Sequence, residues 1–243
     1  NPHDLEYEKV YHPLVSITKK RYTGRKFESD PTKFKTDSMG IVTKRRDNAK
    51  IVKVVIGNVV DKLLSSEATD NIIDYVKRMI HSIKKEEFDP AYFVTTKSIK
   101  DLSKYKDPNS LVHTRLAMRM IERDPSSAPQ PNERLAYLYI LNKKFYEKKT
   151  SSILQGDRVE QYEYYLKHRE RLKLKIDYLH YITNQIMLPT CQLLDLILPD
   201  SKAHIFTPIV DRMTSDIQGK TRIDSFFKIA HSSDGESNFD ISL

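Results

Sequence analysis

The sequence predicts an α+β chain in three parts: a small, basic, β-rich part, a mostly helical body and a polar tail. Three observations carry this. Between Thr18 and Lys53 there are twelve Lys or Arg against four Asp or Glu, a local excess equal to the +8 formal charge of the whole 243-residue chain. At Asp47 the apolar spacing changes from extended to helical. After Pro208 the residues turn polar. A chain of this length can bury a real core as one large domain or two smaller ones.

The elements follow in order. Val10, Leu14, Val15 and Ile17 lie in β-branched and aromatic sequence that reads as a strand. It runs into "SITKKRYTGRKF", where Lys19, Lys20, Arg21, Arg25 and Lys26 surround Tyr22. "ESDPTKFKTD" reads as a loop and "SMGIVTKRR" as the next strand. Asp47 is placed to cap a helix bearing Val52, Val55, Ile56, Val59 and Leu63 at helical spacing. Its β-branched residues and Gly57 weaken intrinsic propensity, so this helix is expected to depend on burial. Thr69 is the expected cap of a cleaner helix with Ile72, Val76, Met79, Ile80 and Ile83 on one face.

"FDPAYFVTTKSI" is short and extended. "PNSLVHTRLAMRMIER" is helical, with Val112, Leu116 and Met120 on one side and Arg115, Arg119 and Arg123 elsewhere. Three prolines make "DPSSAPQPNE" a loop, and "RLAYLYIL" returns as a strand. Residues 159 to 198 keep a helical period, which Pro189 is expected to kink or end near Leu188. The last residues, "HSSDGESNFDISL", read as a disordered tail.

Composition narrows the function classes. A concentrated basic segment points to a polyanion, nucleic acid before an anionic membrane surface. No apolar stretch approaches the ~20 residues of a spanning helix. The start lacks both a signal-peptide layout and an initiator Met, so the chain is expected to be a fragment of something longer. The single cysteine, Cys191, excludes an internal disulfide or cysteine-based zinc site and sits in an apolar run that suits burial. The eight histidines are scattered without metal-ligand spacing.

Five ordered blocks resemble the C-terminal part of family B replicative DNA polymerases, of the delta type and of large DNA viruses. They are "LEYEKVYHPLVSITKKRYTG", "MGIVTKRRDNAKIVKVV", "HTRLAMRMIERDPSSAPQPNERLAYLYI", "GDRVEQYEYYL" and "KIDYLHYITNQIMLP". The resemblance implies that residues 1–47 are the end of the palm with its KKRY element, 48–213 the thumb and 214–243 a flexible tail. It also implies a DNA-directed DNA polymerase, a nucleotidyltransferase of DNA replication. This chain would be the part gripping primer-template duplex behind the active site.

In that family the KKRY element lies against the minor groove. Lys19, Lys20 and Arg21 would meet phosphates or minor-groove acceptors, which occur in every correct pair. Tyr22 would offer its hydroxyl and flat body at the primer end, and Arg25 stands in the same basic run. A solvated strand edge is the competing reading. Arg45 and Arg46, with Lys44 beside them, would contact the primer backbone where palm meets thumb, or tie the two parts together through carboxylates. Arg119, Arg134 and Arg158, in the thumb blocks, complete the DNA-binding candidates. Glu6 and Glu8 alternate onto one strand face, near the catalytic Mg²⁺ by resemblance or simply paired with neighbouring cations.

The family's aspartate motifs, its fingers lysine and its exonuclease carboxylates are missing from these residues. Two-metal phosphoryl transfer needs such aspartates, so Mg²⁺ would be held mainly outside this chain, which alone would be inactive. The expected partners are primer-template DNA and the remainder of the polymerase, its exonuclease, fingers and catalytic palm, with no membrane. Ile223, Phe226 and Phe227 in "KTRIDSFF" resemble a sliding-clamp peptide, although Lys220 stands where glutamine is usual. An intracellular location follows, in the nucleus or at a cytoplasmic viral replication site. The alternative is a non-catalytic DNA-binding or clamp-docking module derived from the same fold.

Overall fold

The computed structural model describes residues 9–28, 30–45, 47–147 and 153–219. Two antiparallel three-stranded sheets and a set of helices form a mixed helix-and-sheet architecture of α+β type. The first sheet has the order β1 (Val10–Thr18), β2 (Arg21–Phe27), β3 (Phe34–Met39). Part of the segment read as a loop thus becomes a strand. The cause is pairing: Phe34 lies opposite Phe27 with their rings 6.0 Å apart, and the register runs on to Met39 opposite Tyr22. The expected second strand stops early, because Gly40 takes φ +64° and the chain leaves the sheet into a 3-10 turn at Val42–Lys44.

Helix α1 (Lys50–Leu64) is the centre of the larger core. Ile51, Val55, Ile56 and Val59 are fully buried, each contributing about 1.5–3 kcal/mol gross. That burial sustains a helix whose β-branched residues would disfavour it in isolation. Val15 and Ile17 of β1 pack against the same core. Asp47 does not cap α1. The N-cap is Ala49, and the Asp47 carboxylate instead takes a charge-assisted bond from Lys97 Nζ at 2.5 Å. Likewise α2 (Thr69–Lys84) starts from Ala68, so Thr69 is its first helical residue.

A 3-10 turn (Pro90–Phe93) leads to β4 (Thr95–Ser98), which pairs with β5 (Arg134–Tyr139), and β5 with β6 (Val159–Gln161). Helix α3 (Val112–Arg123) covers this second sheet through Leu116, Ala117 and Met120. The short α4 (Lys143–Tyr146) follows β5, and α5 (Tyr162–Leu172) follows β6. The helical period from 159 onward is therefore interrupted by a strand, and again at Lys173, left-handed at φ 52°.

The last two helical paths, separated by turns at 195–200, each run on through a proline. α6 (Tyr178–His180) passes through a π-helical segment (Tyr181–Met187) into α7 (Leu188–Leu194), with Pro189 near its start. A second π segment (Lys202–Phe206) precedes α8 (Thr207–Gln218), which contains Pro208. Proline lacks an N–H and its ring presses on the carbonyl four residues back. A widened π turn accommodates both effects, so Pro189 neither ends nor breaks the helix. Cys191 is buried in α7 and burial raises its thiol pKa.

Candidate nucleic-acid interface

Strand alternation splits the KKRY element between two faces. Thr23, fully buried, and Val15, packed on the core, mark the face of the first sheet turned toward α1. Arg21 and Arg25 share that face by register. Arg21 Nη2 donates to Gln192 Oε1 of α7 at 2.6 Å, and Arg25 Nη2 donates to Ser65 Oγ beyond the end of α1 at 2.9 Å. Tyr22 lies on the opposite face, its ring 5.7 Å from that of Tyr11, whose hydroxyl donates to Asp37 at 2.6 Å. Lys19 and Lys20 form the exposed turn between β1 and β2.

Arg21 opens onto a cleft of about 530 Å³ between the first sheet and the α6–α7 path. Arg45, Asn48, Asn184, Gln185 and Gln192 supply its other polar side chains. The Gln185 carbonyl oxygen is buried without a hydrogen-bond partner. A second cleft of about 330 Å³ adjoins it, lined by Arg45, Asp47, Lys97, Ser98 and Arg134. Arg45 is exposed and belongs to both, so the basic side chains run Arg21, Arg45, Lys97, Arg134 across two sheets. Arg134 is exposed and donates to Thr96 Oγ1 at 2.7 Å. The Lys97 ammonium holds the Asp47 carboxyl below its ordinary range, chiefly by their hydrogen bond.

Lys97 is the functional candidate that sequence reading missed. Nothing in "FDPAYFVTTKSI" marks it. Only the β4–β5 pairing, with Ser98 opposite Arg134, brings it to the basic stripe.

Two candidates are corrected. Arg158 is 2% exposed and Asp177 0%, and Arg158 Nη2 donates to Asp177 Oδ2 at 2.7 Å. Tyr146 Oη and the His180 backbone N–H also donate to that carboxylate, and Phe145 stacks on the guanidinium at 3.6 Å. Arg158 is a core ion pair, out of a duplex's reach. Arg119 folds over β6 and donates to the backbone carbonyls of Asp157 and Val159. Its neighbours do the same work, Arg115 on Asp157 at 2.6 Å and Arg123 on Glu160 at 2.8 Å. These three arginines close α3 onto the second sheet's edge.

Lys44 ends the 3-10 turn between the sheet and α1. Arg46, Glu6, Glu8, Ile223, Phe226 and Phe227 lie outside the described residues. Among the described residues no three His, Cys, Asp or Glu gather to hold a metal ion. No helix among them is long and apolar enough to cross a membrane.

The sequence profile of DNA polymerase family B matches residues 1–197. The chain belongs to DNA polymerase family B. It is 42% identical over 225 residues to a DNA polymerase of Pyramimonas orientalis virus, covering 91% of this chain and 18% of that protein. A DNA polymerase of Acanthamoeba polyphaga mimivirus is also 42% identical, over 84% of this chain and 11% of its own length. The DNA polymerase delta catalytic subunit of Caenorhabditis elegans is 32% identical, over 84% of this chain and 18% of its own length. This family B chain therefore spans less than a fifth of each of these relatives. Its fold resembles the family B DNA polymerase of Pyrobaculum calidifontis, with a TM-score of 0.55 at 19% identity, covering 79% of this chain and 22% of that one.

Proposed function

We propose that this chain is the duplex-gripping part of a family B DNA polymerase, acting with a catalytic remainder that supplies the carboxylates for Mg²⁺. The observation that carries the reading is the basic stripe Arg21, Arg45, Lys97, Arg134 across two adjoining clefts. Arg21, Arg45 and Arg134 suit successive phosphates, with Lys97 partly compensated by Asp47, and the amides of Asn48, Asn184 and Gln192 suit sugar and minor-groove acceptors between them. Such contacts position a duplex without reading its sequence. On this reading residues 1–47 end the palm, 48–213 are the thumb and 214–243 a tail.

The outer face of the first sheet supports a catalytic remainder. Leu14 is 50% exposed and Met39 45%, beside Tyr22 and Tyr11 on the face away from α1. Apolar side chains in that density fit coverage by further polypeptide. Glu6 and Glu8, just upstream, would then approach the catalytic metal. The tail residues Ile223, Phe226 and Phe227 would dock on a sliding clamp. Phe226→Ala with Phe227→Ala should abolish clamp binding in a pull-down, and unchanged capture would end that proposal. The site of action is intracellular, in the nucleus or a cytoplasmic viral replication site.

The direct test is anisotropy with a labelled primer-template. The chain is expected to bind it with little sequence preference and to release it as salt rises. Failure to bind at low salt overturns the reading.

A further inference from the structure

Away from the basic stripe, α2 and the α8 region enclose a groove of about 780 Å³. Its base is apolar: Ile205 is buried, Ile209 half-buried, and Pro208 lies beside them. Its edges are basic. Lys77, Arg78 and Arg212 are exposed cations, and exposed His81 and His204 stand with them. Lys84 crosses the groove to Asp216 at 3.3 Å, the one carboxylate that meets these cations among the described ion pairs. The groove therefore offers a positive edge, with Lys84 alone of its cations paired among the described residues, over an apolar base, a surface suited to an acidic segment with apolar side chains.

The chain carries such a segment. Residues 229–243 contain Asp234, Glu236 and Asp240, no Lys or Arg, and the apolar Phe239 and Ile241. In an extended segment Phe239 and Ile241 share one face, with Asp240 on the other. The geometry of attachment also fits. α8 lines the groove and ends at Gln218, with left-handed Gly219 letting the chain leave the helix axis. Pro208 is ten residues before that end, about 15 Å along the helix. The nine residues 220–228 can span up to about 30 Å. We propose that residues 229–243 dock in this groove of their own chain, the carboxylates on its basic edges and Phe239 and Ile241 on its base.

Tethering makes a weak site sufficient. At an effective concentration on the order of 1 mM, a segment that binds freely only at about 0.1 mM is docked about ten to one. A nucleic-acid strand is the poorer fit, because a sugar-phosphate backbone gains little from Ile205 and Ile209.

Zero-length carbodiimide crosslinking of the full chain, mapped by mass spectrometry, tests this without DNA or clamp. Its outcome is therefore independent of the polymerase reading. Lys77 and Lys84 are expected to join Asp234, Glu236 or Asp240 within one chain. Arg78→Glu with Arg212→Glu leaves the reacting lysines in place and should lower the yield at least about five-fold, with an unchanged melting temperature. Phe239→Ala with Ile241→Ala should lower it too, reporting the apolar half of the contact. Crosslinks spread equally over lysines outside the groove, crosslinks only between two chains, or a yield indifferent to the arginine pair would each overturn the proposal.

Discussion

At Lys20 the backbone takes φ 63° in the β1–β2 turn, a left-handed conformation that suits glycine or asparagine. The neighbouring Gly40 is constrained in turn. A Cβ there would lie 2.5 Å from the Lys20 carbonyl oxygen and 2.9 Å from Arg21 Cγ, so only glycine lets the end of β3 approach this turn. Keeping a lysine at such a position exchanges about 1–2 kcal/mol of backbone strain for a cation at the turn. Lys20→Gly is expected to raise the melting temperature while weakening primer-template binding; an unchanged affinity would show that the lysine meets no phosphate. His180 makes a different residue-scale prediction. It is 5% exposed and stacked on Tyr139 at 3.6 Å, and burial, then the Arg158 charge, pushes its pKa down from 6.5 to about 3. Above pH 6.5 the ring is neutral folded or unfolded, so it adds no pH dependence. Below 6.5 the unfolded chain takes a proton that the folded chain refuses, so stability falls as pH drops toward 3, by up to about 1.4 kcal/mol per unit. Thermal melts at pH 7 and pH 5 should show a smaller loss for His180→Phe than for the parent. Equal losses would assign the slope elsewhere, with half-buried His113, also depressed by burial, the next candidate. Such residues were invisible in sequence for one reason. The motif "GDRVEQYEYYL" contains Arg158 but not Asp177, and an arginine reads as surface until its carboxylate is found.

At the scale of elements, what was legible followed from periodicity that burial reinforces. The apolar repeats of α1, α2 and α3 fixed those helices because the same residues fill the two cores. β3 was not legible, since "FKTDSM" has no alternating apolar face and exists as a strand only by pairing with β2. Proline in isolation argues for a kink or an end, whereas a π turn before it lets the helix run on through Pro189. Pro208 repeats the device, also just after a π segment. The π segment at 181–187 has a positional effect as well, since it carries Asn184 and Gln185 at the 530 Å³ cleft. Pro189→Ala restores an N–H and removes the reason for the wide turn. The expected result is a regular α-helical exchange pattern through 181–194, little loss of stability and weaker primer-template binding as the two amides rotate away. Unchanged hydrogen exchange in that stretch would show that packing, not proline, holds the π turn.

For the whole molecule, the +8 excess supplies part of the basic stripe, and physical pairing explains where the remaining cations go. Lys19, Lys20, Arg21 and Arg45 come from that segment, whereas Lys97 and Arg134 join them from another sheet across Asp47. Other cations were spent internally, Arg158 on Asp177 and the α3 arginines on the 155–161 stretch. Charge counting alone therefore overstates how many positive side chains a phosphate backbone can meet. The number is measurable. If about five phosphates are neutralised, log affinity should fall against log salt with a slope near −4.5. Arg45→Ala with Arg134→Ala removes two stripe cations, and the slope should shrink to about −2.7. Lys77→Ala with Arg212→Ala removes the same charge from the distant groove and should leave the slope near the parent's. This comparison separates a localised interface from a general attraction between a basic protein and DNA. Equal slope changes for the two pairs would mean that net charge alone carries the binding, and the stripe would lose its claim to be the track of the duplex.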